Sequence, residues 1–144
     1  MLTMEEYLKS TGFIGHKIDA YGGVDHVNQN YLIWAVQLFG TCGIGVNLPA
    51  WAETAFDAGE PWGDPPEGAD TSIVGGHYFP LVDYRNGWFK CVTWGAIQPV
   101  NMDFLKRYAD EAFAAADFDW IAAVGVAPSG FDLAQLAADL ASIA

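Results

Sequence analysis

The side chains best suited to chemistry in this sequence are one histidine and two cysteines. His77 follows Gly75 and Gly76 in a stretch rich in β-branched and aromatic residues, and Cys42 and Cys91 lie in two other apolar stretches. A thiol beside an imidazole is the nucleophile and base of thiol hydrolases, so Cys42 with His77 is the pairing to consider. An apolar strand, however, raises the pKa of a thiol and makes it unreactive. We therefore expect both cysteines to be free, buried and structural, and we keep the catalytic dyad as an alternative.

His77 lies in a predicted β-hairpin. Residues 73–84 and 88–95 are both typical of strands, and Asn86-Gly87 between them can adopt the positive φ angles of a two-residue turn. With that turn, Cys91 and Thr93 point away from the face that holds His77, and a register slip of one residue would reverse this assignment. The residues expected on the shared face are His77, Phe79, Leu81, Asp83, Lys90, Val92 and Trp94. Among them, Asp83 is expected to lie opposite Lys90 and to form a cross-strand ion pair with it.

The elements before the hairpin follow from helix caps and periodicity. A short helix is expected from about residue 3 to Gly12, followed by an extended segment over 13–21. Asp25 is expected to cap a second helix that ends at Gly40. Its apolar positions, which recur at spacings of three and four and should be buried, are Val27, Tyr31, Trp34, Ala35 and Leu38.

Further along, strict alternation over 41–48 predicts a strand with one apolar face and one glycine-rich face that admits close packing. Asn101 is expected to cap a helix that reaches Ala116, and 117–126 form a short connection. Asp132 opens a last helix, with Gln135 completing its capping box. The whole pattern predicts a single α+β domain over residues 1–144, an antiparallel sheet with flanking helices.

Residues 49–72 contain four prolines, several glycines and no basic residue, which predicts a long loop. Its six acidic residues form a candidate binding surface, although exposed charges are also what solvates an ordinary loop. The proposed binding residues are Glu53, Asp57, Glu60, Asp64, Glu67 and Asp70, together with Trp94 from the hairpin.

The composition excludes several classes of function. There are 18 acidic against 6 basic residues, a formal net charge of -12, so nucleic acid is not an expected ligand. No apolar run is long enough to cross a membrane and no secretory signal begins the chain, so we expect a soluble, cytoplasmic protein. No His-x-x-x-His or Cys-x-x-Cys spacing occurs, and Gly43-Ile44-Gly45 is not a complete dinucleotide fingerprint. No metal or cofactor is expected.

The motif Gly75-Gly76-His77 followed by Thr93-Trp94-Gly95 resembles the papain-like cysteine peptidases. It is most similar to a stand-alone branch found in phages and prophages, and segments at 15–18, 38–40, 104–113 and 130–133 also resemble that branch. The resemblance implies that His77 takes the place of the general base, with Trp94 and Gly95 in the wall beside it.

That family also needs a cysteine at the start of a buried helix and an amide or carboxylate that orients the imidazole. In this sequence the cysteine helix would lie upstream of residue 1, so the chain is expected to be an N-terminally truncated version of the fold. The orienting residue would lie near Val92 or Thr93, and neither side chain is an amide or a carboxylate.

We therefore expect a degenerate, non-catalytic papain-like protein of phage or prophage origin that acts by binding a protein partner. Three alternatives remain open at this stage. The first is a cysteine hydrolase that uses Cys42 and His77, and the second is a structural component of the virion. The third is an acidic mimic of nucleic acid that inhibits a host defence complex, as anti-CRISPR proteins do, because the net charge of -12 exceeds the magnitude of about 2 to 8 that solubility requires.

Overall fold

The computed structural model describes residues 2–12, 16–18 and 20–116. The elements of this part of the chain are α1 (Leu2–Ser10), β1 (Ala20–Gly23), α2 (Gln29–Phe39), β2 (Cys42–Pro49), α3 (Ala50–Asp57), β3 (Ile73–Arg85), β4 (Trp88–Thr93), β5 (Ala96–Val100), α4 (Met102–Tyr108) and β6 (Ala109–Ala116). The strands form a sheet in the order β1-β6-β2-β3-β4-β5, and every neighbouring pair is antiparallel. The predicted α+β class is confirmed. None of the described helices is long and apolar enough to span a bilayer.

The core lies between one face of the sheet and helices α2, α3 and α4. Buried residues of all three helices and of strands β2, β3, β4 and β6 belong to one hydrophobic cluster. At its centre the rings of Trp62 and Phe104 stack with their centroids 5.1 Å apart. The indole nitrogen of Trp62 donates a hydrogen bond of 2.9 Å to the carbonyl of Ala52 and so ties the loop after α3 to that helix.

The β3–β4 hairpin forms at the predicted turn, but its faces differ from the prediction. Near the turn Asp83 pairs with Lys90 as expected, and their side chains form an ion pair of 3.2 Å. The register then shifts by one residue, so that Leu81 pairs with Cys91. This irregularity leaves Val82 as the extra residue of a β-bulge and reverses the face of everything beyond it. Cys91 and Thr93 therefore share the core face with His77, contrary to expectation.

Helix α2 buries a different stripe from the one predicted. Asn28 caps it by accepting a hydrogen bond from the backbone of Asn30, whereas Asp25 caps only the preceding turn. Its buried residues are Leu32, Ala35 and Val36, while Val27, Tyr31 and Trp34 are about half exposed. The helix carries two apolar stripes that share Ala35, and packing against the sheet selects the one with the smaller side chains.

The predicted loop over 49–72 is wrong in its first third, because 50–57 form the helix α3. The sequence Ala50–Asp57 buries Trp51 and Ala52 against the core, which stabilises about two turns of helix within an acidic segment. Residues 58–72 form turns and one isolated bridge at Trp62, without a further helix or strand. They return alongside α3 to the start of β3.

The helix predicted from Asn101 to Ala116 ends early. Asn101 does cap α4, accepting hydrogen bonds from the backbone of Asp103 and Phe104. From Ala109 onward the chain is the strand β6, which pairs with β1 on one side and β2 on the other. These backbone hydrogen bonds outweigh the helix propensity of an alanine-rich segment. The predicted connection over 117–126 and the last helix lie outside the described residues.

Candidate functional site

His77 lies in the middle of β3, on the core face, where it pairs with Val46 of β2. A hydrogen bond of 2.7 Å joins its Nε2 to Oγ1 of Thr93 on β4. Thr93 is buried, with 4% of its surface exposed, whereas His77 is only partly buried. The β-bulge at Val82 makes this contact possible, because it turns Thr93 to the face of His77. The expectation that Thr93 points away from His77 is therefore wrong.

Trp94 covers the other side of the imidazole. The two rings stack with centroids 4.7 Å apart and planes at 26°. The Trp94 ring also meets Phe56 of α3 edge-on at 4.8 Å and Trp62 at 5.8 Å, yet 46% of the residue remains exposed. The stacking fits the expectation that Trp94 lies beside the histidine.

Trp94 holds an unusual backbone conformation. Its φ is 46°, and Gly95 follows at 77°, so both central residues of the β4–β5 turn are in the left-handed region. A two-residue turn of this kind favours Asn or Gly, and a bulky side chain in it costs on the order of 1 kcal/mol. Such strain persists where the surroundings compensate for it, and here the three ring contacts do so.

A carboxylate on helix α3 acts electrostatically on His77. Burial lowers the pKa of His77 below its ordinary value, and the negative charge of Glu53 partly opposes that effect. His77 is therefore mainly neutral at pH 7, as an imidazole must be in order to accept a proton.

Neither cysteine lies close to His77. Cys42 pairs with Leu81 and Val46 pairs with His77, so the strand register separates Cys42 from His77 by four residues. At about 3.3 Å per residue the separation is roughly 13 Å along the sheet. Cys91, on β4, also pairs with Leu81, which is four residues from His77 along β3.

Both thiols are fully buried and free. Burial raises the pKa of Cys42 to about 12 and that of Cys91 to about 12, so both are protonated at neutral pH. The structure thus brings His77 together with Thr93 and Trp94 but does not bring Cys42 to His77. The expectation of free, buried thiols is confirmed.

The six acidic residues proposed for binding are all exposed, but they divide into two groups. Glu60, Asp64 and Asp70 line a cleft of about 640 Å³ between α3 and the returning chain. Glu53, Asp57 and Glu67 lie outside it. The cleft also includes apolar side chains that sequence reasoning did not single out, above all Trp51 and a set of prolines and alanines.

A second, smaller cleft of about 350 Å³ lies over the sheet, lined by residues that include Gly45, Gly76, Asp110 and Glu111. Within residues 2–12, 16–18 and 20–116, no group of three His, Cys, Asp or Glu side chains is close enough to hold a metal ion.

The sequence matches no protein-family model and none of the curated proteins with which it was compared. The site itself consists of a neutral histidine that is hydrogen-bonded to the Thr93 hydroxyl and covered by the Trp94 ring, far from either thiol.

Proposed function

We propose that this chain is a non-catalytic papain-like protein that acts by binding another protein. The observation that carries the proposal is the distance between base and thiol. His77 is hydrogen-bonded to Thr93, while Cys42 is four residues further along the sheet and its pKa is about 12. A thiol hydrolase requires a thiolate within hydrogen-bond reach of its base.

Protein binding is supported by the aromatic surface of α2. Tyr31 and Trp34 are 46% and 53% exposed, and their rings contact each other at 5.5 Å. Val27, just before the cap of the helix, is also about half exposed. Exposed Tyr and Trp are the residues that most often dominate the energy of protein interfaces.

The motif Gly75-Gly76-His77 with Thr93-Trp94-Gly95 supports a phage or prophage origin, with the host cytoplasm as the place of action. Alternatively, the protein binds its partner within the virion, as a structural component of the particle. Quantitative detection of the protein in purified particles, at a constant ratio to the major coat protein, would favour the virion.

Reactivity of the thiols tests the non-catalytic proposal. Iodoacetamide at pH 7.5 should alkylate Cys42 and Cys91 of the folded protein slowly, because both are buried and protonated. In urea both should react at the rate of a free thiol. The His77→Ala variant, checked for folding by circular dichroism, should label at the same slow rate as the wild type. Rapid labelling of native Cys42 that is lost in His77→Ala would show an activated thiol and overturn the proposal.

A nucleic-acid mimic is a second candidate, supported by the exposure of all six carboxylates between Glu53 and Asp70. A mimic presents its charges outward to a basic groove, so each carboxylate contributes similarly whether or not it lies in a cleft. Binding confined to the cleft would instead depend mainly on the carboxylates that line it, Glu60, Asp64 and Asp70.

A further inference from the structure

We infer that the cleft between α3 and the chain returning over 58–70 receives a basic, partly apolar segment of a partner protein. A lysine or arginine side chain would enter it, with the aliphatic stem on the cleft floor and the cationic head among Glu60, Asp64 and Asp70. The inference rests on the proposed protein-binding function and specifies the chemistry of the partner.

The floor of the cleft is apolar and of suitable size. Its volume of about 640 Å³ exceeds that of a single long side chain, so a short run of a partner chain fits. The apolar residues that line it are Ala50, Trp51, Ala55, Ala58, Pro61, Pro66 and Ala69. Lysine and arginine bury their methylene stems on such surfaces while the charged head stays at the polar rim.

The rim is complementary to a cation. Glu60, Asp64 and Asp70 are exposed carboxylates, and none of the residues that line the cleft is basic. Hydrogen bonds from Ser72 hold the pKa of Asp70 below its ordinary value, so its charge is present at neutral pH.

Asp64 already accepts a guanidinium in this structure. Nη2 of Arg107, from α4, lies 3.3 Å from its Oδ1. Both side chains are more than half exposed, so the pair is weak and can be exchanged for an incoming arginine.

The walls of the cleft are fixed by backbone hydrogen bonds. The amide of Trp51 donates to the carbonyl of Asp70 at 3.0 Å, and that of Ala50 donates to Ser72 at 2.9 Å. At the other end the amide of Glu60 donates to Ala55 at 2.8 Å. A cleft held in this way is formed before the ligand arrives, so binding costs less conformational entropy.

The chemistry of the rim excludes other occupants. An acidic segment or a nucleic acid would meet like charge. A metal ion would need its ligands grouped together, and no such group exists among the described residues. An organic cation with an apolar stem satisfies both the rim and the floor.

Fluorescence anisotropy with defined peptides tests the inference. The probe is a fluorescein-labelled octapeptide of alternating alanine and arginine, and the matched peptide has citrulline at each arginine, which keeps the shape and removes the charge. We expect the arginine peptide to bind at about 150 mM salt, where the Debye length is about 8 Å, and the citrulline peptide to bind at least about tenfold more weakly.

Two double variants with equal change of charge locate the binding. Glu60→Gln with Asp70→Asn alters the cleft, and the retained oxygen of Asn still caps Ser72. Asp57→Asn with Glu67→Gln alters the same segment outside the cleft. The cleft variant should weaken binding about tenfold and the outside variant less than about threefold. Ala58→Phe, which fills the floor without changing the charge, should also weaken binding.

Three results would overturn the inference: no binding of the arginine peptide, equal binding of the citrulline peptide, or equal losses in the two double variants. Equal losses would favour the nucleic-acid mimic instead. Mass spectrometry of the recovered peptide separates this test from the proposed function, because cleavage of the peptide would refute the non-catalytic assignment even if the cleft binds it.

Discussion

At His77 two effects of opposite sign act on the same imidazole. Partial burial beneath Trp94 disfavours the charged form, and the carboxylate of Glu53 favours it; burial is the larger, so the pKa lies below the ordinary 6.5. The folded protein then binds fewer protons at this site than the unfolded chain does. The contribution of His77 to stability is present above pH 6.5 and is lost as the pH falls from there toward the lowered pKa.

This balance predicts the result of an NMR titration of His77. The midpoint should lie below 6.5 in the wild type and fall further in Glu53→Gln, because that change removes only the opposing charge. Asp57→Asn, one turn further along α3, is the matched control and should leave the midpoint within about 0.2 units. A wild-type midpoint at or above 6.5, or a rise in Glu53→Gln, would contradict the assignment.

At the scale of elements, the β3–β4–β5 meander positions the site through two irregularities. The bulge at Val82 brings Thr93 to His77, and the left-handed turn at Trp94 folds the indole over the imidazole.

Trp94→Gly and Trp94→Ala both remove the indole, but only glycine tolerates a φ of 46° without cost. We expect both variants to be less stable than the wild type, and the glycine variant to be more stable than the alanine variant by about 1 kcal/mol in urea unfolding. In an ordinary extended segment the alanine variant would be the more stable of the two. If alanine proves the more stable replacement, the turn does not hold Trp94 in the left-handed region.

At the scale of the whole molecule, 18 acidic residues against 6 basic ones make self-repulsion a general destabilising term. The ion pairs to Asp64 and Asp83 join side chains that are between 30% and 75% exposed, so each pair contributes little to stability. Screening should therefore help the folded state more than it weakens these pairs.

We expect the Tm to rise by a few degrees, about 3–6 °C, between about 20 and 300 mM sodium chloride. In the variant with Asp57→Asn and Glu67→Gln, which has two fewer negative charges, the rise should be smaller. Differential scanning calorimetry at fixed pH measures both. A Tm that falls with salt would mean that the ion pairs dominate.

Much of the local structure of this protein is determined by residues that are close together in the sequence. The Asn86-Gly87 turn, the Asp83–Lys90 pair, the stop at Gly40 and the cap at Asn101 all occur as predicted, because each depends on local backbone chemistry. The burial of the two cysteines and the contact between His77 and Trp94 were also expected from the sequence and its resemblance.

Other features were decided only by tertiary structure. The bulge at Val82, the buried stripe of α2 and the strand β6 each depend on contacts between residues distant in the chain. A one-residue shift cannot be detected in an alternating pattern that remains apolar in both registers, yet it exchanges the two faces of a strand. The sequence also shows that Glu60, Asp64 and Asp70 are acidic, but not that they lie together. Only the folded chain places these three around an apolar cleft and leaves Asp57 and Glu67 outside it.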